Sequence, residues 1–445
     1  MNLQPTAPRT PKSAAINGII KEKQNRPDLE TLKRLYEKLH ADPELSGREE
    51  RTAHVVKTHL EALGFRVRAR IGGHGVVGVL DNQRGPRGRT VLLKAELDAL
   101  PIQEKTNLSY ASTKRIKDPV DKKKKPVMHA SGHDMHITMV LAAAALLQKA
   151  KKKWRGCLIV LFQPDSQGRG AKSMMESGLY DKFQFPNPNI VLCQHINNKS
   201  AGKLQLLRGN DLGERLSFLI TIPGKGGHST TPEGCINPIL IASSLVLELQ
   251  TMIQTLYNPN NPALVTCVRI NAGHATNEIP DKAELTVEVR AFSGDMMKLL
   301  VEAIDLVVGK EFKNAGVLKK KKTIQRLDQF VSPLINDPDA LHKIGVQFED
   351  YFGREQIQPM NLEMAMGKLG DDLAVLAREG IPHAYWTLRS TSPGVWDTYE
   401  RDGRLHELPD THTAEFAPAE EPTLSVGMEA LAVAALTYLK TEGEF

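Results

Sequence analysis

Between residues 28 and 204 the apolar positions follow two alternating periods. They recur at helical spacing over 28–40. They do so again after Ser46-Gly47-Arg48-Glu49, which reads as a capping box, through Ala53, Val56, Leu60 and Leu63. Phe65, Val67, Ala69 and Ile71 then alternate with arginines, the pattern of a half-buried strand. Further strands are predicted over 76–80 and 91–95, and an Ala/Leu-rich helix over 136–149. The runs 157–162 and 190–194 are apolar without interruption, as in strands covered on both faces. Strands alternating with helices in this way predict an α/β sandwich.

The rhythm changes after residue 204. An alternating stretch at 216–222 is followed by a helical pattern over 238–256, two strand patterns at 263–272 and 283–292, and a helix over 295–312. This β-α-β-β-α order predicts a ferredoxin-like α+β module inserted into the larger domain. The chain then returns to α/β character and ends in a helix over 422–439. The fold class is therefore α/β with an inserted module. The main domain is expected over 22–204 and 325–445, and the lid and dimerisation domain over 205–324. Residues 1–21, rich in Pro, Thr and Ser, are expected to form a disordered leader.

Composition adds exclusions. The 445 residues are 41% hydrophobic and 25% charged, enough for a large core and a second module. The net charge of +6 is concentrated in lysine runs at 122–125, 151–153 and 319–322. Each run sits in a turn or at a helix end with no interleaved aromatics, so it reads as solvated loop, and nucleic acid is not an expected partner. The longest apolar candidate, 137–147, is far shorter than the roughly 18 residues of a membrane span. The opening segment lacks the apolar stretch of a secretory signal. Cys157, Cys193, Cys235 and Cys267 are scattered and read as reduced thiols. A soluble cytoplasmic protein is expected.

Four short strings carry the candidate chemistry: Lys94-Ala95-Glu96-Leu97-Asp98-Ala99-Leu100-Pro101, Val127-Met128-His129-Ala130-Ser131-Gly132-His133-Asp134-Met135-His136, Phe162-Gln163-Pro164-Asp165-Ser166-Gln167, and Gly224-Lys225-Gly226-Gly227-His228. In order and spacing they resemble the R-A-D-M-D-A-L-P, V-M-H-A-C-G-H-D-x-H, F-Q-P-x-E-E and G-x-G-G-H strings of the M20 peptidase family. The subfamily resembled is that of the aminoacylases, hippurate hydrolases and auxin-conjugate hydrolases, and the resemblance spans roughly 28–440. It implies a centre of two divalent ions held by a bridging Cys, a Glu and three His, with a second Glu as general base for water. It also implies a homodimer through the lid.

Carried over by position, the bridging cysteine is Ser131, the general base is Ser166 and the metal glutamate is Gln167. The histidines are His133, His195 and His412, with His406 a rival for the last place. A serine hydroxyl stays protonated where a metal-bound cysteine is a thiolate, and Gln167 offers only a neutral carbonyl. Loss of a positioned general base at Ser166 costs about 10²- to 10⁴-fold. Zinc or manganese on His133, His195 and His412 is then the only cofactor in view. His129 and His136 read as packed remnants. His133, Asp165, Asp134 and Asp98 are the candidate catalytic groups, His133 and Asp165 forming an acid–base pair. His228, Asn277 and Arg290 of the lid, with Ser131, Ser166 and Gln167, are expected to contact a small-molecule substrate carrying a carboxylate or amide.

Three readings follow. In the first, the scaffold runs metal-independent acid–base chemistry, a condensation, cyclisation or isomerisation of an amino-acid-derived or amide-like molecule. Exclusion of activated water would serve such a step. In the second it is a single-metal amide hydrolase releasing an amino acid from an N-acyl conjugate, with Asp165 in place of the lost carboxylate. In the third it is a non-catalytic binding protein. Metal content separates the second from the others, and a conversion assay separates the first from the third.

Overall fold

The structure, a computed structural model, describes residues 10–83, 88–117, 122–206, 214–256, 258, 261–317, 323–327, 336–359, 372–378 and 380–444. The chain forms two compact units, one from the described residues of 1–208, 336–360 and 373–445, the other from those of 209–335 and 361–372. The first unit opens with helices α1 (Pro11–Lys21), α2 (Leu29–Ala41) and α3 (Glu50–Ala62), followed by strands β1 (Arg66–Ile71), β2 (Gly75–Asn82) and β3 (Thr90–Glu96). A small hairpin, β4 (Arg115–Lys117) and β5 (Lys124–Pro126), takes up the end of the first lysine run. Then come α4 (His133–Lys149), β6 (Trp154–Gln163), α5 (Gly170–Glu176), β7 (Ile190–Ser200) and β8 (Leu204–Leu206).

The second unit contributes β9 (Glu214–Pro223), β10 (Gly227–His228), α6 (Pro238–Thr255), β11 (Ala263–Ala272), β12 (Glu278–Ile279), β13 (Lys282–Ala291), α7 (Gly294–Asn314) and β14 (Ile324–Arg326). The first unit resumes with α8 (Pro338–Phe352), β15 (Ile357–Pro359), α9 (Leu373–Ala377), β16 (His383–Thr391), α10 (Pro393–Arg401), α11 (Glu420–Tyr438) and β17 (Lys440–Thr441).

The first unit is built on a nine-stranded mixed sheet in the order β1-β2-β6-β3-β7-β16-β8-β15, with β17 joined to β6. Its centre, β6, β3, β7 and β16, is parallel. Every residue of β3 is buried, which accounts for its unbroken apolar run. Helices α4 and α11 are buried along nearly their whole length. They pack on each other and on β3 and β7, with α1, α2 and α8 against them. Because parallel strands share a direction, the carboxyl ends of β3 and β6 come level, with Glu96 paired to Gln163. Open α/β sheets bind ligands at that edge.

In the second unit β11, β13, β9 and β14 form an antiparallel sheet in that order. Helices α6 and α7 pack on it. The closing strand β14 completes a βαββαβ path, one strand more than the sequence pattern suggested. Pairing of β14 with β9 keeps residues past 325 in this unit, so the chain re-enters the first unit at Asn336 and not at 325. The lysine run 319–322 lies outside the described residues.

The expected leader is corrected over 11–21, which is helical; residues 1–9 lie outside the described residues. Thr10 caps α1 through Ser13 N, and Pro11 fits its first turn. Ile16, Ile19 and Ile20, at i, i+3 and i+4, are at most 1% exposed within the main core. Ser13 Oγ bonds Asp350 at 2.5 Å and Lys12 Nζ bonds the Leu439 carbonyl at 2.6 Å. Polar composition hid three apolar residues on one helical face. No helix among the described residues is long and apolar enough to cross a membrane.

Ile20→Ala should therefore destabilise the protein by about 2–5 kcal/mol, the range for truncating a core aliphatic residue. Urea denaturation followed by circular dichroism measures it. An unchanged midpoint would mean that α1 is not part of the cooperative core.

Candidate functional site

The site is organised around the turn that starts α4. Gly132 takes up a left-handed conformation (φ 76), and a Cβ there would lie 2.3 Å from Ile196 Cδ1. Only glycine fits this turn without displacing Ile196. The turn brings His133 into the first helical residue, three positions before the start predicted from periodicity.

His133 Nδ1 donates to the Asp98 carbonyl at 2.7 Å and lies 3.2 Å from Asp98 Oδ1. Burial works against the charged imidazole, but the Asp98 carboxylate outweighs it and raises the His133 pKa to about 9. Asp98 is 1% exposed. Its Oδ2 accepts from Ser46 Oγ at 2.6 Å and from Ser166 Oγ at 3.0 Å. Burial would raise its pKa, yet His133 and the two hydroxyls hold it below the usual carboxylate value. The expected capping box does not form: Ser46 turns to Asp98, and Glu49 accepts from the Gly47 amide at 2.7 Å.

A second buried chain runs beside it. Lys94 Nζ meets Glu96 Oε1 at 2.5 Å, and Glu96 Oε2 faces His136 Nδ1 at 3.1 Å. His136 Nε2 accepts from the Ile196 amide at 3.1 Å. Burial and the neighbouring His133 charge outweigh Glu96, so the His136 pKa is lowered and the ring is a neutral linker with both nitrogens engaged. On β7, His195 donates from Nδ1 to the Ile196 carbonyl at 2.8 Å, with its ring centroid 4.3 Å from His136 and 6.1 Å from His133. Ser131 Oγ lies 2.7 Å from His412 Nε2, and the His412 amide donates to the Ala130 carbonyl at 2.8 Å. His406 sits elsewhere, on an exposed turn beside Glu407.

Two expected catalytic roles are corrected. Asp165 is not the carboxylate partner of His133; Asp98 is. The Asp165 carboxylate instead caps its own loop, accepting from Arg169 N at 3.0 Å, while its backbone adopts φ 47. Asp134 also faces away from His133. Its Oδ2 bonds His40 Nδ1 at 2.7 Å, and His40 Nε2 bonds Glu104 at 2.9 Å. Burial opposes the His40 charge, but these two carboxylates raise its pKa to about 10. His129 is buried with neither ring nitrogen bonded, and burial lowers its pKa to about 4.

Gln167 Nε2 donates to Ser166 Oγ at 3.4 Å. His228, Asn277 and Arg290 belong to the second unit. His228 is paired with Glu278 across β10 and β12, the Asn277 carbonyl accepts from Ser229, and Arg290 Nε bonds Glu288 at 2.7 Å.

The groups that sequence reasoning missed are Ser46, Glu49, His40, Glu104 and the Lys94–Glu96 pair. Only Lys94 and Glu96 carried a signal, two charges inside an apolar strand. The others arrive from distant loops.

Donor chemistry decides what this arrangement holds. His133, His136 and His195 place one ligand atom each within 4.8 Å of one another. His136 is already bonded through both nitrogens, however, and Asp98 Oδ2 is taken up by two hydroxyls, while Oδ1 lies 3.2 Å from His133 Nδ1. The expected anionic ligand positions carry neutral side chains, Ser131 and Gln167. A pair of dications needs anionic donors to offset its charge. These residues do not fit one.

The sequence profile of peptidase family M20/M25/M40 matches residues 92–435. A hippurate hydrolase of Campylobacter jejuni is 39% identical over 267 residues, 60% of this chain and 66% of its own length. An N-acetyl-L-cysteine deacetylase of Bacillus subtilis is 32% identical over 343 residues, 74% of this chain and 78% of the relative. Among solved structures, a dinuclear metal binding peptidase of the M20 family from Bacillus subtilis superposes with a TM-score of 0.64 at 24% identity, over 92% of this chain and 97% of that one. That likeness carries the fold alone.

Glu49 supplies a pH test. It is fully buried; Oε1 accepts from the Gly47 and Asp165 amides, and Oε2 has no partner. Burial, then the Asp98 charge, raise its pKa from 4.5 to about 7. The folded state therefore binds this proton more tightly than the unfolded chain. Stability falls as pH rises from about 4.5 to about 7, by an amount on the order of 3 kcal/mol. Glu49→Gln keeps the accepting oxygen and removes the titration. The wild type should lose thermal midpoint between pH 5 and pH 8 relative to the variant, and identical pH slopes would refute the assignment.

Proposed function

Because the chain belongs to the M20 peptidase family, in its amidohydrolase branch, we propose that it hydrolyses N-acyl amino acids or similar amide conjugates, releasing the amino acid and a carboxylic acid. The observation that carries this reading is that the matched span 92–435 takes in Asp98, Ser131, His133, Ser166, His195 and His412 alike. The relatives named for their reactions, a hippurate hydrolase and an N-acetyl-L-cysteine deacetylase, both remove an acyl group from an amino acid. None of this supports the bond-forming readings, condensation, cyclisation or isomerisation. The hydrolytic alternative is the better account.

In this reading His228, Asn277 and Arg290 receive the carboxylate of the substrate, with Arg290 as its charged partner. The enzyme works in the cytoplasm, in keeping with four free cysteines. The assay is release of free amino acid from hippurate, N-acetyl-L-cysteine and a wider N-acyl amino acid panel, read by mass spectrometry. Steady release from at least one is expected, and Arg290→Gln should raise KM roughly tenfold or more, the value of one charge-assisted hydrogen bond. No release from any member of the panel would sink the reading.

A homodimer through the second unit belongs to the same proposal. Leu240 and Leu247 on α6 are each 69% exposed, and Val268 and Ile270 on edge strand β11 are 55% and 53% exposed. An edge strand beside an apolar helix face is a surface suited to isologous pairing. Light scattering at micromolar concentration should give twice the chain mass, and Leu240→Glu with Leu247→Glu should give the monomer. A monomeric wild type counts decisively against it.

A further inference from the structure

We propose that Ser131 is a nucleophile with His412 as its general base, so that amide cleavage passes through an acyl-serine and not through metal-bound water. This rests on the amidohydrolase reading above and specifies how that reaction is run. The expected metal positions supply neutral donors, yet one of them forms the contact that acyl transfer requires. Ser131 Oγ is 2.7 Å from His412 Nε2, within the reach of a serine and its activating base.

The pair is held from both sides. Residue 412 is tied to residue 130 by the bond from the His412 amide to the Ala130 carbonyl, 2.8 Å. Ser131 directly precedes the Gly132 turn, which packs closely on Ile196. Ser131 is 2% exposed, whereas His412 is open to solvent, so the base can exchange protons with water.

The third requirement is a place for the oxyanion. Ser131 lies two residues before the start of α4, a helix of 17 residues. The Gly132 amide is engaged by the His129 carbonyl and the Met135 amide by the Asp134 carboxylate. The amides of His133 and Asp134 carry no hydrogen bond among the described residues. Two unengaged amides at a helix start, next to the nucleophile, are suited to developing negative charge.

The steps balance. Ser131 Oγ bonds to the amide carbonyl carbon as its proton passes to His412 Nε2. The C–N bond then breaks and the amine leaves with that proton, giving an ester on Ser131. Water adds to the ester carbonyl and gives a proton to His412. The Ser131–carbon bond breaks, the oxygen recovers the proton, and the carboxylic acid departs. Amide and water become amine and acid with no other reactant.

The test uses the full-length protein and a fluorophosphonate probe, which phosphonylates activated serines. Labelling should map to Ser131 by peptide mass spectrometry, disappear in Ser131→Ala and fall at least 100-fold in rate in His412→Gln, the lower end for loss of a general base. Hydrolysis of an N-acyl amino acid should keep its rate within twofold after dialysis against chelator. No label on Ser131 in the wild type, or label on Ser46 or Ser166 instead, overturns the proposal. So does activity lost to chelator and restored by zinc or manganese, and in that case the amidohydrolase reading stands. Label on Ser131 with no turnover of any N-acyl amino acid supports the nucleophile and refutes the substrate class.

Discussion

The carboxylate of Asp98 joins four chain segments that lie far apart in sequence. Ser46 precedes α3, Asp98 follows β3, His133 begins α4 and Ser166 follows β6, and all four meet on one buried group. A carboxylate this deep is stable only if its charge is matched and its lone pairs are met. His133 supplies the charge, 3.2 Å from Oδ1, and two hydroxyls meet Oδ2, while Oδ1 has no hydrogen bond among the described residues. The geometry of the site is therefore a consequence of satisfying one anion. Moving the segment of His133 would leave the buried Asp98 charge without its partner, at a cost of about 3–5 kcal/mol, and moving either serine would remove a hydrogen bond from it.

The same rule governs the neighbouring charges. Lys94 is 2% exposed in the middle of the sheet and is tolerable because Glu96 meets it. Glu96 in turn orients His136, which accepts the Ile196 amide and so fixes the segment next to His195. On the far side of α4, His40 sits between Glu104 and Asp134 and carries the positive charge that two buried carboxylates demand. Asp134 adds a negative charge to the first turn of α4, where the helix dipole favours it. Three histidines close together in sequence, His129, His133 and His136, thus take three different states because their surroundings differ. One is charged against a carboxylate, and two are neutral through burial.

What could be read from the residues follows the range of the forces involved. Continuous apolar runs located β3, β6 and β7, and a change of period located the inserted module, because burial imposes periodicity locally. The start of α4 was placed at residue 136 because its turn uses glycine in the left-handed region and has no Ser or Asp cap to advertise it. α1 was missed because its isoleucines are diluted among polar residues. The strings that resemble the M20 family pointed to Ser131 and His133, which lie at the start of α4, to Ser166, which follows β6, and to His195 on β7. They could not say which carboxylate faces His133. Asp165 is the nearer in motif, but its positive φ turns its side chain back to the Arg169 amide. Partners such as Ser46 and Glu49 come from loops with no periodicity, and only the tertiary fold brings them in.

The exchange of an anionic donor set for a neutral one changes what the same positions can do. A thiolate, two carboxylates and three imidazoles hold dications and make hydroxide from water. With a hydroxyl in place of the thiolate, the charge needed to bind two ions is gone, while the nearby imidazole is kept. A serine hydroxyl is a poor metal ligand but, beside an unprotonated imidazole, a usable nucleophile. On the proposed reading one requirement does not depend on metal: a carbonyl carbon is to be held beside Ser131, with donors facing its oxygen. The Asp98 knot and the Gly132 turn are built from backbone and buried side chains of this chain. The scaffold separates positioning from activation, and so the activating group is free to change.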